Sequence, residues 1–139
     1  MSQFISSLSR FFLGFFIFTS IFYTPILFGQ SDLTFISQTD YAALHNTGLN
    51  DIWGYVDEQG NEYAIVGTED GTSIMNVSDP ANPLEVFWLP GENSTHRDPT
   101  VFGDYAYIST EAEEGLTIIN LSPLPESNVL VTTLCTGES

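Results

Sequence analysis

A segment of this chain occurs twice, and that repeat limits the folds the chain can adopt more than any other feature. The run Gly71-Thr-Ser-Ile-Met-Asn-Val-Ser-Asp-Pro-Ala-Asn-Pro83 returns as Gly115-Leu-Thr-Ile-Ile-Asn-Leu-Ser-Pro123. Upstream of each copy, Tyr63-Ala-Ile-Val-Gly-Thr-Glu69 returns as Tyr105-Ala-Tyr-Ile-Ser-Thr-Glu111. The Tyr-Ala pairs lie 42 positions apart and the leading glycines 44. A period of this length is typical of β-propeller blades, each made of four short strands.

Short apolar runs separated by Gly, Pro, Asn and Asp turns predict an all-β fold without a sustained helical period. The predicted strands are Leu33–Gln38, Ile52–Val56, Glu62–Gly67, Thr72–Val77, Leu84–Leu89, Thr100–Phe102, Tyr105–Thr110, Leu116–Leu121 and Val129–Leu134. The repeat groups them into a blade from Asn50 to Leu89 and a second from Arg97 to about Leu134. We expect Leu33–Gln38 to be a strand donated to another blade.

Two blades form only part of a propeller, since closure takes about four to eight. The fold predicted for residues 30–139 is therefore a partial β-propeller of about two four-stranded blades. We expect the sequence to be the N-terminal portion of a longer protein, truncated at its C-terminus.

The first residues have the pattern of an export signal. Arg10 precedes an apolar run from Phe11 to Phe28, and small Gly29 stands at its end. This order predicts a helical secretory signal peptide over residues 1–29, removed near Gln30. A retained membrane anchor is the alternative, because the run approaches the roughly 18 apolar residues that span a bilayer.

The charge balance limits the choice of partners. The chain has 18 Asp and Glu against two Lys and Arg, and a formal net charge of −16. All the acidic residues lie beyond Gly29, where Arg97 is the one Lys or Arg, so residues 30–139 carry −17. Such a surface repels phosphate backbones and anionic membranes, so nucleic acid and membrane insertion after cleavage are not expected. Cationic surfaces or divalent cations are the partners that fit, and solubility alone is the alternative role of the charge.

Cys135 is the single cysteine and has no partner for a disulfide within the chain. It follows the apolar run from Val129, which predicts a buried structural thiol. A disulfide partner beyond the present C-terminus is the second interpretation.

The motifs resemble a known family. The segment Gly71–Pro83 resembles an LVIVD repeat, in which an apolar strand is followed by Ser-Asp-Pro-x-x-Pro. Leu49-Asn-Asp-Ile-Trp-Gly-Tyr55 and Glu62-Tyr-Ala-Ile-Val-Gly67 resemble the start of the secreted bacterial proteins of the choice-of-anchor B family. The second copy departs from the pattern, with Ser122-Pro-Leu-Pro125 in place of Ser-Asp-Pro. The resemblance implies a signal peptide, several propeller repeats and a surface or extracellular location, and it carries no established biochemical activity.

Equivalent polar residues open the first strand of each predicted blade and indicate a ligand-binding face. Asn50-Asp51 opens one blade and Arg97-Asp98 the other, and both should lie at the same rim of a propeller. Trp53 is either an exposed ligand platform or a core tryptophan between blades. The residues predicted to bind a ligand are Asn50, Asp51, Trp53, His96, Arg97 and Asp98. The alternative is that Asp98 caps its turn and Arg97 pairs with it or with a neighbouring carboxylate.

No catalytic residue is predicted. His45 and His96 are the two histidines, and neither has a second His or Cys at ligand spacing, which disfavours zinc. No cofactor is expected, although the loop carboxylates at Asp57-Glu58, Glu69-Asp70 and Glu111/Glu113/Glu114 carry a weak indication of calcium. We predict a secreted or cell-surface module that binds an extracellular ligand or surface component. The alternative is a secreted propeller hydrolase or lyase that acts on polysaccharide through Asp51 and Asp98.

Overall fold

The computed structural model of the protein describes residues 33–112 and 115–136. The predicted signal peptide, residues 1–29, lies outside the described residues, as do Glu113 and Glu114. By its internal contacts the chain divides into Met1–Thr34 and Phe35–Ser139, and the elements below belong to the second unit. Within the described ranges, no helix has the length and apolar character needed to cross a membrane.

Eight strands and one short helix make up the described part of the chain. In order they are α1 (Tyr41–His45), β1 (Leu49–Val56), β2 (Glu62–Thr68), β3 (Gly71–Asn76), β4 (Leu84–Pro90), β5 (Arg97–Phe102), β6 (Tyr105–Thr110), β7 (Leu116–Asn120) and β8 (Thr132–Cys135). β1–β4 pair in sequence order as one antiparallel sheet, called sheet A, and β5–β8 as a second, called sheet B. The predicted all-β character is confirmed, and each set of four predicted strands forms one sheet.

Tight turns hold neighbouring strands in register. Between β1 and β2, the Asp57 carboxylate accepts the backbone N–H groups of Gln59 and Asn61 at 2.9 and 2.8 Å. Gly60 in the same turn has φ +86° and Gly103 in the β5–β6 turn has φ +58°. Side chains other than glycine rarely adopt such angles, so glycine lets both chains reverse within a few residues.

The main core lies between the two sheets. Alternate residues of each strand point to opposite faces, and we call the face of sheet A toward sheet B its inner face. Its fully buried members include Ile65 and Ile74, which pack with Ala106, Ile108 and Ile119 of sheet B. The sheets approach closely at Gly67, where an added Cβ would clash with the backbone oxygen of Arg97. Glycine is therefore required at that position by the distance between the sheets.

The opposite face of sheet A, its helix face, is partly covered by α1. Asp40 caps the helix by accepting the N–H of Ala43 at 3.2 Å, and Asn46 ends it in the left-handed region with φ 54°. Tyr41 packs with Val66 and Met75 in a second, smaller buried cluster. The helix was not predicted, because five residues are too few to produce a helical period.

The face of sheet B that points away from sheet A is exposed, and we call it the open face. Phe102 is 78% exposed, Tyr105 46% and Leu116 36%, although all three are large apolar side chains. The two sheets therefore differ: apolar side chains are covered on the inner face of sheet A and exposed on the open face of sheet B.

Two predictions are wrong. Leu33–Gln38 belongs to neither sheet, and its alternating apolar residues are exposed; the one hydrogen bond described there runs from Ser37 Oγ to the carbonyl oxygen of Pro80 at 2.5 Å. A strand needs a neighbouring strand as well as a suitable pattern. Cys135 is exposed rather than buried, because it pairs with Leu116 at the open face of sheet B.

Strand ends also differ from the predictions. β5 begins at Arg97 instead of Thr100, and β8 runs from Thr132 instead of Val129. β5 contains Pro99, whereas the predicted strand rests on the pattern of the residues that follow this proline. Before β8, Leu130 is buried in the main core through a loop rather than through the sheet. An apolar side chain in a buried loop cannot be distinguished from a strand residue by its pattern.

Candidate functional site

One rim of the two sheets brings together several chain reversals, and we call it the first-strand rim. It consists of residues 47–51, 68–71 and 91–98. The side-chain amide of Asn50 donates to the carbonyl oxygen of Ser94 at 3.0 Å. The N–H of Ser94 in turn donates to the carbonyl oxygen of Glu69 at 2.8 Å. These bonds connect the start of β1, the β2–β3 turn and the loop that leads to Arg97, so Asn50 and Arg97 lie at the same rim.

Arg97 is buried at this rim, with 3% of its surface exposed. Its Nε donates to the carbonyl oxygen of Thr68 at 3.1 Å, and a terminal nitrogen donates to the carbonyl oxygen of Glu92 at 2.5 Å. A buried guanidinium is tolerated only when its donors are satisfied. Arg97 therefore joins the end of β2 in sheet A to the loop that precedes sheet B, and its main contacts are structural.

Asp51, Asp98 and Trp53 also belong to the predicted binding set, and all three are open to solvent. Both carboxylate residues are exposed, and Trp53 is 46% exposed. The register places Trp53 opposite Ile65, on the inner face of sheet A. The indole is thus at the edge of the core, where one part packs and another meets solvent. A joint role of these side chains in ligand binding stays a prediction.

His96 also lies at the first-strand rim, but its contacts do not form a catalytic array. Its Nδ1 lies 3.0 Å from a carboxylate oxygen of Glu111, and both side chains are mostly exposed. The hydroxyl of Ser94 donates to the carbonyl oxygen of His96 at 2.8 Å rather than to the imidazole. A nucleophile needs its hydroxyl on the base, so Ser94, His96 and Asp98 are not arranged as a triad.

Asp70 is a hydrogen-bonded carboxylate of this rim. Hydrogen bonds from Asn93, at 2.8 Å, and from Thr47 hold its pKa below the usual value. The positive charge of Arg97 acts in the same direction. Asp70 therefore stays ionised and connects the β2–β3 turn to the β4–β5 loop, which fixes the shape of the rim.

A second polar cluster lies at the opposite rim, around the β1–β2 and β5–β6 turns. Tyr63 donates to Asp57 at 3.2 Å, and Tyr55 donates to Asp104 at 3.0 Å. Burial, reinforced by these carboxylates, raises the pKa of each phenol to about 12. Burial alone would raise the pKa of Asp57, but hydrogen bonds, foremost from Asn61, outweigh it and lower that pKa.

This second cluster borders a small cavity of about 130 Å³ lined by Tyr55, Asp57, Glu58, Gln59, Asp104, Ser122 and Leu124. Its two phenols are protonated, and Asp57 already accepts several hydrogen bonds. The bond from Tyr55 to Asp104 joins the ends of the two sheets.

A third polar cluster, beneath α1, was not found by the sequence analysis. His45 Nε2 lies 2.8 Å from Glu85, and its ring stacks on Trp88 with centroids 3.7 Å apart. Ser73 donates to the same carboxylate at 2.6 Å, and Tyr41 donates to Ser73 at 3.0 Å. His45 and Glu85 lie 40 positions apart, so no local motif signals the contact. The serine hydroxyl is bonded to the acid and not to the histidine, so the cluster anchors α1 and has no nucleophile–base pair.

No group of three or more His, Cys, Asp or Glu side chains within the described ranges is arranged to hold a metal ion. The weak expectation of calcium therefore stays untested, since Glu113 and Glu114 lie outside those ranges. A further cavity of about 150 Å³ lies between the sheets, bordered by Arg97 and by β3, β4, β7 and β8.

Comparisons with protein-family models, with curated proteins and with solved structures find no match for this chain.

Proposed function

We propose that the protein is a secreted or cell-surface β-propeller repeat module, of the kind the LVIVD and choice-of-anchor B resemblance implies, that binds an extracellular ligand through its first-strand rim. The propeller part of the proposal is supported by the agreement between sequence repeat and strand register. Tyr63 pairs with Tyr55, and its equivalent Tyr105 pairs with Phe102, which is equivalent to Tyr55. Each sheet is thus the same four-stranded unit repeated, as expected of blades.

The packing of the sheets supports the same proposal. β1 and β5, the first strand of each sheet, lie against each other, and β2 also contacts β5. First strands of neighbouring propeller blades meet in this way around a central axis. The stacking of the two sheets over one apolar core is the arrangement that further blades would extend.

The observation that carries the binding proposal is the hydrogen bond from Asn50 to Ser94 at 3.0 Å. It joins the start of one repeat to the loop that opens the next, which supports a common surface for the equivalent pairs Asn50-Asp51 and Arg97-Asp98. Asp51 and Asp98 are exposed there, while Arg97 is buried and supports the rim from below. Exposed carboxylates on a strongly acidic chain favour a ligand with cationic or hydroxyl-rich groups.

Export is supported by the pattern of residues 1–29 and is tested directly. Mass spectrometry of the protein recovered from the producing cells should give an N-terminus within a few residues of Gln30. An intact Met1 on a membrane-embedded product would contradict export and favour the retained anchor.

Binding is tested with the exported protein and envelopes isolated from the cells that produce it. The double substitution Asp51→Asn, Asp98→Asn should reduce co-sedimentation with the envelopes by roughly tenfold or more. Asp79→Asn is the matched control, because Asp79 is an exposed carboxylate in the β3–β4 turn at the other rim. Equal binding by wild type and the double variant would defeat the rim proposal. Release of reducing sugar from envelope polysaccharide that the double variant abolishes would favour the hydrolase alternative instead.

A further inference from the structure

The open face of sheet B is an apolar surface with two adjacent aromatic rings on neighbouring strands. Phe102 and Tyr105 pair across β5 and β6, with 78% and 46% of their surfaces exposed. Tyr107, Leu116 and Ile118 extend the same face, since alternate residues and their cross-strand partners share it. Exposed apolar patches of this kind mark sites of association, and the repeat indicates what covers this one.

Each side chain of the open face has an equivalent on the inner face of sheet A. Tyr105 corresponds to Tyr63, which is 2% exposed, and Ile118 corresponds to Ile74, which is fully buried. The register equates Phe102 with Tyr55, which is 8% exposed. Sheet A uses these positions to bind sheet B. Sheet B therefore presents the same binding surface, with no sheet described against it.

The complementary surface lies on the helix face of sheet A. Sheet B contacts sheet A through Pro99 and Val101 of β5 and through Ala106 and Ile108 of β6. The equivalent positions in sheet A are Ile52 and Gly54 of β1 and Ala64 and Val66 of β2, by the same register.

This surface is partly uncovered. Ile52 and Val56 are each 60% exposed, and they border an apolar groove of about 390 Å³ on β1 and β2. α1 reaches the other half of the face, where Tyr41 contacts Ser73 of β3 and His45 contacts Glu85 of β4. Tyr41 also packs against Val66 and buries it, so on β2 the helix face is partly covered. The helix leaves Ile52, Gly54 and Val56 of β1 exposed, at the edge of sheet A that lies nearest to β5.

We infer that a second copy of this chain docks head to tail, with the open face of sheet B in one copy covering the β1–β2 groove of sheet A in the next. The inference rests on the proposed stacking of repeat sheets. The copy is the occupant that fits, because the main positions on both surfaces are equivalent to ones that already pack in the A–B interface. On the open face these are Phe102, Tyr105 and Ile118, and in the groove Ile52, Gly54 and Ala64. Phe102 and Tyr105 would be the central anchors, as aromatic residues commonly are in interfaces.

An interface between two different surfaces propagates. Heterologous contacts close into a ring when the rotation per copy permits it and otherwise form an open filament. Propellers close with about four to eight sheets, so a small closed ring satisfies the geometry. The association is opposed by the net charge of −16 on each chain. Salt screens that repulsion, so association should strengthen as ionic strength rises.

Sedimentation velocity of the purified full chain, in the N-terminal form the cell produces, tests the inference. Wild type should shift from monomer to a dimer or larger ring as concentration and salt increase. Phe102→Asp and Ile52→Asp should each weaken association by roughly tenfold or more, since each places a charge in one of the two surfaces. Phe35→Asp is the matched control, because Phe35 has the same exposure as Phe102 and lies outside both surfaces. It should leave association unchanged.

A mixture of the two variants tests whether the copies associate head to tail. Phe102→Asp keeps an intact groove and Ile52→Asp keeps an intact open face, so an equimolar mixture should form a 1:1 dimer and nothing larger. Circular dichroism spectra like that of wild type establish that both variants are folded. A wild-type chain that stays monomeric at submillimolar concentration and high salt overturns the inference, as does a mixture that remains monomeric. If monomeric Phe102→Asp still binds envelopes, association between copies is distinguished from the proposed binding function, because one is lost while the other is kept.

Discussion

Sheet A and sheet B have the same frame and different surroundings. Tyr63 and Tyr105 occupy the same place in the repeat, yet 2% of the first and 46% of the second is exposed. Tyr55 and Phe102 differ in the same way, at 8% and 78%. Sheet A is covered by sheet B on its inner face and by α1 on part of the other. Sheet B is covered on one face.

The difference shows that the burial of a side chain in a repeat protein is determined by the interface between units and not by the unit alone. The strand pattern specifies which side chains point to each face, and a neighbour decides whether that face is covered. Equivalent substitutions in the two sheets should therefore have unequal effects on stability, and the size of the inequality measures the A–B interface.

The largest inequality is expected at Ile74 and Ile118. Ile74→Ala should lower the free energy of unfolding by about 2–5 kcal/mol, because the side chain is fully buried and leaves a cavity. Ile118→Ala should cost about 1 kcal/mol, since Ile118 is partly exposed. Urea unfolding at low micromolar concentration measures both. Equal losses would mean that the two faces are equally covered in solution.

Gly67 and Ser109 give the next comparison. Gly67→Val should destabilise the chain by about 1–3 kcal/mol, because the new side chain would meet the backbone oxygen of Arg97 and push the sheets apart. Ser109 is the equivalent exposed residue on the open face, and Ser109→Val should change stability by less than about 0.5 kcal/mol. Thermal unfolding compares the two variants. A large loss of stability in Ser109→Val would show that the open face is covered.

Arg97 and Asn50 test the polar links at the first-strand rim. Arg97→Met should cost about 1–3 kcal/mol, because the carbonyl oxygens of Thr68 and Glu92 lose buried donors. Asn50→Ala removes a single bond to Ser94 and should cost about 1 kcal/mol. Chemical unfolding of both variants decides the order, and the reverse order would mean that the hydrogen bonds of Arg97 contribute less to stability than the single bond of Asn50.

The smallest effect should come from Asp57 and depends on pH. Hydrogen bonds lower its pKa in the folded state, so its contribution to stability is complete above its ordinary value of 3.8. That contribution is lost as the pH falls through the lower folded pKa. Asp57→Asn should therefore flatten the acid limb of a stability–pH curve, whereas Glu58→Gln, at an exposed neighbour in the same turn, should leave it in place. If wild type and both variants lose stability in parallel as the pH falls, Asp57 does not contribute to the acid limb.

The sheets were predictable because the repeat and the turns are local or periodic signals. Glu62–Gly67 and Tyr105–Thr110 lie between turn residues, and their alternation matches the observed faces. The failures share a different cause. α1 is held by caps at Asp40 and Asn46 and by contacts to distant strands. The exposure of Cys135 follows from the open face, which the residues around it do not encode.

The candidate site was predictable in position and less so in role. Asn50 and Arg97 were expected at one rim because they open equivalent strands, and their contacts around Ser94 and Thr68 place them at one rim. The burial of Arg97 was not foreseen, since it depends on how closely the sheets approach at Gly67. The cluster of His45, Glu85 and Ser73 is formed entirely by contacts distant in sequence.

The burial of Arg97 has a consequence for proteolysis. Trypsin cleaves after arginine and lysine, and beyond Arg10 the chain offers it a single bond, Arg97–Asp98, at the start of β5. Because the guanidinium is buried, trypsin cannot reach this site in the native protein. Cleavage requires the rim to open first. When opening and closing are faster than cleavage, the rate of that single cut follows the population of the opened form. Appearance of the two fragments on a gel would thus report the opening of the boundary between the sheets.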